Sequence, residues 1–167
     1  AAIYNITKQA DNTTAVTGSS LTITDSTWLD EGKIVTGNTR AAFATIAANN
    51  TLNLYAGTID GSKVNVTGPE TGVYFGGVIE CSGALNMYGG EIRNGQTAAA
   101  EMGGNIGLQT DSVLNMYGGT VSNGSNSSAK GGNIASYSSS ATINIYGGTV
   151  SGGSGTIGAN IYAFGNT

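Results

Sequence analysis

The chain has 167 residues, of which 28 are Gly, and Gly, Thr, Asn and Ser together make up about half of it. This composition argues against a helical domain, because Gly costs about 1 kcal/mol against Ala inside a helix while Thr, Asn and Ser favour strands, caps and turns. Hydrophobic residues at 39% argue against a disordered chain, and a net charge of −4 with six scattered Lys and Arg leaves no basic stripe to track a nucleic acid.

The first 50 residues are read as irregular N-terminal coils or a cap. The chain starts Ala1-Ala2 without Met, as a mature protein would after an export signal is removed or as a trimmed chain would. Thr17 to Thr24 and Lys33 to Gly37 have the pattern of short strands, and Arg40 to Ala48 is the one stretch suited to a short capping helix.

Residues 51–167 carry two interleaved words. The first occurs four times: Leu52-Asn53-Leu54-Tyr55-Ala56-Gly57-Thr58-Ile59, and again from Leu85, Leu114 and Ile143, at spacings of 33, 29 and 29. The second is Gly76-Gly77-Val78-Ile79, Gly103-Gly104-Asn105-Ile106, Gly131-Gly132-Asn133-Ile134 and Gly158-Ala159-Asn160-Ile161. Two words sharing one period imply one structural coil per repeat. Within a word, Leu114, Met116 and Val121 fall on one side and Asn115, Tyr117 and Thr120 on the other, which is the alternation of short strands. Stacking such coils buries the aliphatic rows and pairs each strand with the one above it, about 4.8 Å away. The expected fold is all-β, a right-handed parallel β-helix (β-solenoid) of one continuous domain, with a repeat near 29 residues and about five to six coils.

The joins between words vary in length while the words do not, and variable loops on a rigid scaffold are the usual place for recognition. The join from Lys63 to Phe75, with Pro69, Glu70, Tyr74 and Phe75, is either a contact site or a plain connection with an aromatic tucked onto the core. The row Tyr55, Tyr88, Tyr117 and Tyr146 forms an outward aromatic ladder, which either meets sugars or another subunit or serves to hold the sheet face together. Asn105, Asn133 and Asn160 form a second row, read as an amide ladder at a corner.

Catalysis finds little support. There is no His for a nucleophilic triad and a single Cys, Cys81, which is read as a buried small hydrophobe; no metal site or cofactor is expected. Asp60 and Arg93 share a column and should form a surface ion pair between neighbouring coils. Glu70, Glu80 and Glu101 lie near the variable edges, but their spacing does not demand that they converge. No apolar run reaches the roughly 18 residues of a membrane span, so no membrane insertion is expected. From Gly131 to Thr167 there is no charged residue, and this uncharged end either belongs to a longer repeat protein or stacks on another subunit.

The words Gly103-Gly104-Asn105-Ile106 and Leu114-Asn115-Met116-Tyr117-Gly118-Gly119-Thr120-Val121 resemble the repeats of adhesin-like right-handed β-helix surface proteins of gut Firmicutes. They are loosely similar to the Gly-Gly-Ala-Ile words of chlamydial polymorphic membrane proteins, without the accompanying Phe-x-x-Asn word. The resemblance covers about residues 52 to 161 and implies an extracellular, exported, cell-surface protein with no family active site to carry over. The expected function is a non-catalytic structural protein, an adhesin-like display module or a filament subunit stacking through its ends, with itself or a surface glycan or protein as partner. The alternative is a carbohydrate-binding or polysaccharide-cleaving module.

Overall fold

The computed structural model describes residues 20–23, 33–35, 44–46, 48–62, 77–97, 103–127 and 130–164. These residues hold seventeen short strands and no helix. In chain order they are β1 (Ser20–Ile23), β2 (Lys33–Val35), β3 (Ala44–Ile46), β4 (Thr51–Leu54), β5 (Thr58–Asp60), β6 (Ile79–Cys81), β7 (Ala84–Met87), β8 (Glu91–Arg93) and β9 (Gln96–Thr97), then β10 (Ile106–Leu108), β11 (Val113–Met116), β12 (Thr120–Ser122), β13 (Ser125–Asn126), β14 (Ile134–Ser136), β15 (Thr142–Ile145), β16 (Thr149–Ser151) and β17 (Ile161–Tyr162).

Three five-stranded sheets form the walls, in the orders β1-β4-β7-β11-β15, β2-β5-β8-β12-β16 and β3-β6-β10-β14-β17. All pairings are parallel and in register with the words: Leu52, Leu85, Leu114 and Ile143 share one row, and Asn53, Asn86, Asn115 and Asn144 the next. The chain is thus a parallel β-solenoid with a repeat of about 29 residues. It has about three coils, fewer than the five to six expected. Before residue 50 and at the closing word the described residues contribute single strands, β1, β2, β3 and β17, to the sheet edges.

The expected helix at Arg40 to Ala48 is not formed where the structure describes it. Ala44–Ile46 is instead strand β3, paired with β6, and Ile46 is buried. The helix preference of an Ala-rich stretch is weak and yields here to a partner strand and a place for Ile46 in the core.

The core is a column of stacked aliphatic rows. Leu54, Leu85, Met87, Ile92, Ile106, Leu114, Met116, Val121 and Ile134 are all fully buried in one cluster. The Gly pairs make the corners. The glycine at the sixth position of each long word, Gly57, Gly90, Gly119 and Gly148, has φ of 89, 73, 85 and 92°, in the left-handed region that side-chain-bearing residues avoid. In the short word the need is for space, because a Cβ on Gly104 would run into the backbone of Gly132 and Ser125 in the coil around it.

Candidate functional site: the Tyr and Asn ladders and a corner cleft

The four Tyr side chains leave the ends of β4, β7, β11 and β15 on the outer face. Their ring centroids are 4.5, 5.1 and 5.0 Å apart and neighbouring planes differ by only 9–10°. The rings therefore ride on the rung spacing of a parallel sheet. At that separation they lie face over face, since coplanar neighbours would interpenetrate. Both faces of Tyr88 and Tyr117 are covered by neighbouring rings, and the rims and phenol groups point out; each residue keeps nearly half of its surface exposed. The Tyr88 phenol is pushed above its usual range, first by loss of water and then by the charges that Tyr55 and Tyr117 would carry when ionised. Tyr146 closes the described ladder and is 67% exposed.

Beside the Tyr row runs an amide ladder that the sequence reading missed, although its signal, an Asn in all four long words, was present. Asn86, Asn115 and Asn144 each donate Nδ2 to the Oδ1 of the Asn one coil earlier, at 2.9 Å. With Thr51, Ala84, Val113 and Thr142 on the same strands, this outer face carries no charged residue.

The second amide ladder lies where the sequence placed it, and it is inside. Asn105 and Asn133 are fully buried. The Oδ1 of Asn133 accepts from Gly124 N at 2.7 Å and Asn105 Nδ2 at 2.8 Å, and its Nδ2 donates to Ser151 O at 2.8 Å and Asn160 Oδ1 at 2.9 Å. Asn105 repeats this pattern with Gly95 N and Ser122 O. Both amides thus tie the corner glycine of their own coil to the next coil.

The Asp60–Arg93 contact exists, with Arg93 Nε at 3.1 Å from Asp60 Oδ2, but it is not the surface pair expected. The Asp60 side chain is only 3% exposed and that of Arg93 32%. Asp60 Oδ1 also accepts from Ser62 N at 2.9 Å and Asn94 Nδ2 at 3.0 Å, and Arg93 Nη1 reaches Glu91 Oε2 at 2.8 Å. Position in a column does not say how far the following turn covers it, which is why the burial was not foreseen.

Of the three acids near the variable edges, Glu80 alone is among the described residues. It is half-buried on β6 and accepts a hydrogen bond from Gln109 Nε2. Burial pushes its carboxyl above the usual range, and the Gln109 bond partly offsets this. Glu70 and Glu101 lie outside the described residues, as do Pro69, Tyr74 and Phe75. Cys81 is buried, and burial pushes its thiol up to about 12, so it has little thiolate at neutral pH. Among the described residues, no group of three or more Cys, Asp or Glu gathers as a metal site would need.

The structure also shows a shallow cleft of about 300 Å³ lined by Thr110, Tyr137, Ser138, Ser139 and Phe164. These residues sit in turns between the words, where repetition gives no signal. No family model, curated protein or solved structure matches the chain. What the molecule establishes about its kind is the parallel β-solenoid itself.

Proposed function

We propose that the chain is a non-catalytic structural protein of the cell exterior, an adhesin-like display module or a filament subunit. The observation that supports this reading is where the polar side chains are engaged. The buried Asn133 side chain is occupied in four hydrogen bonds and that of Asn105 in three, Asp60 holds three donors, and the inner Tyr rings are covered by one another. These groups join coil to coil, as a stiff rod requires. A second copy stacked in register on β15, β16 and β17 would continue all three sheets, which is the contact the filament form requires.

Negative-stain electron microscopy with light scattering over a concentration series tests the assembly. Unbranched rods that lengthen with concentration assign the filament form, and short rods of constant mass assign the display form. Cleavage of a polysaccharide, lost in Glu80→Gln, would overturn both.

A second reading, a carbohydrate-binding module, is favoured by the pairing of half-exposed aromatic rings with hydroxyl side chains at the Tyr137–Phe164 corner. It needs no catalytic acid.

A further inference from the structure

We propose that the corner cleft formed by Thr110, Tyr137, Ser138, Ser139 and Phe164 binds a neutral carbohydrate. This rests on the second reading above and places it at residues outside the Tyr ladder. The cleft spans successive coils: Thr110 follows β10, Tyr137 to Ser139 follow β14, and Phe164 follows β17. It therefore extends along the solenoid axis over two rung steps, about 9–10 Å.

Its walls are held by the fold. Tyr137 N donates to Leu108 O at 2.8 Å, and Phe164 N donates to the hydroxyl of the buried Ser136 at 2.8 Å. The serine turn is closed by Ala141 N to Ser138 O at 3.1 Å and by the 3.0 Å contact between the Ser138 and Ser140 hydroxyls. Asp111 N in the preceding coil donates to Ser140 Oγ at 3.1 Å, tying one turn to the next. Lys130 Nζ lies 4.9 Å from the Tyr162 ring centroid and 6.0 Å from that of Phe164, so the nearby cation is held against rings. A cleft held in this way loses little on ordering when a ligand enters.

The lining fixes the ligand class. Tyr137 and Phe164 are each 42% exposed, and each offers apolar ring surface at the protein edge. Around them are hydroxyl groups, and none of the five lining residues is charged. Rings beside hydroxyls suit a molecule with apolar C–H patches and many hydroxyls, and the lining itself offers no cation to an acidic sugar, the nearby Lys130 ammonium lying over the Tyr162 ring. The volume lies at the lower end of small-molecule sites, which fits one or two sugar rings.

The test is saturation-transfer NMR and titration of the chain with a panel of neutral and acidic mono- and oligosaccharides, repeated on Tyr137→Ala and Phe164→Ala with the melting transition of each variant recorded. The expected result is binding of a neutral sugar that weakens about tenfold or more in each variant with melting little changed. Equal binding by the wild type and both variants would overturn the cleft while leaving the carbohydrate reading in place. Binding of acidic sugars alone would overturn the neutral ligand class, and binding of none would overturn the cleft and the carbohydrate reading together. If either Ala variant fails to fold, Thr110→Trp, which fills the cleft from the surface, takes its place with the same expected loss.

Discussion

Asn133 lies one coil beyond Asn105 in register, and its Oδ1 accepts the Asn105 Nδ2 at 2.8 Å deep inside the corner. Removing it leaves the buried Gly124 N without its acceptor and one hydrogen of the buried Asn105 Nδ2 unmet, while the exposed Ser151 O keeps Asn123 N as a donor. Each unmet buried group costs about 1–3 kcal/mol. Asn133→Ala should therefore destabilise the chain by about 2 kcal/mol or more in urea unfolding. Asn160→Ala, at a half-buried position with its two bonds from Gly153 N and Asn133 Nδ2, should cost less. Equal small losses for the two would mean that water replaces the ladder.

The Tyr row gives a graded prediction. Tyr117 stacks on both Tyr88 and Tyr146, whereas Tyr146 stacks on Tyr117 alone among the described rings. With about 0.5–1.5 kcal/mol per ring pair, Tyr117→Ala should cost about 1–3 kcal/mol and Tyr146→Ala about half as much. Thermal melting of the two variants side by side reads the ratio. A larger loss for Tyr146→Ala would assign the stabilisation to something other than ring stacking.

Arg93 is the charged partner of a buried carboxylate. Exposed ion pairs are worth about 0.2–1 kcal/mol, and unpairing a buried one costs about 3–5 kcal/mol. Because Arg93 is itself one-third exposed, Arg93→Met should fall between these limits, at about 1–3 kcal/mol in denaturant unfolding. A loss within the range of an exposed pair would show that the Ser62 and Asn94 donors suffice for Asp60.

Glu80 sets a pH dependence. Burial raises its carboxyl above the usual value of 4.5, so the folded state holds the proton better than the unfolded chain does. The stabilisation from this group is complete below 4.5 and is lost as pH rises through the raised folded-state value. In Glu80→Gln, which keeps an acceptor for Gln109, that component of the melting-temperature curve should vanish and stability at neutral pH should rise. A variant with an unchanged curve would place the titration elsewhere.

The solenoid was legible because its words repeat in register: each Leu-Asn-Leu-Tyr type word became a strand of the first sheet, and the glycine two residues after its Tyr took a positive φ. The Asn105–Asn133–Asn160 ladder was legible for the same reason. Features set by what lies over a residue were not. Asp60 reads as a surface acid until Ser62 and Asn94 are seen to close over it. Ile46 reads as part of a helix until β6 is seen to offer it a pairing edge. Thr110, Tyr137 and Phe164 belong to no word, so only the stacking of coils brings them to one cleft.

The central claim, that the polar side chains of this solenoid serve stacking and not reaction, is tested most directly by incubating the folded chain with neutral and acidic polysaccharides and following their length. The account predicts no shortening of any polymer, with wild type and Glu80→Gln alike. Shortening that the wild type causes and Glu80→Gln abolishes would contradict it, by showing that the carboxyl beside Gln109 is there to move a proton.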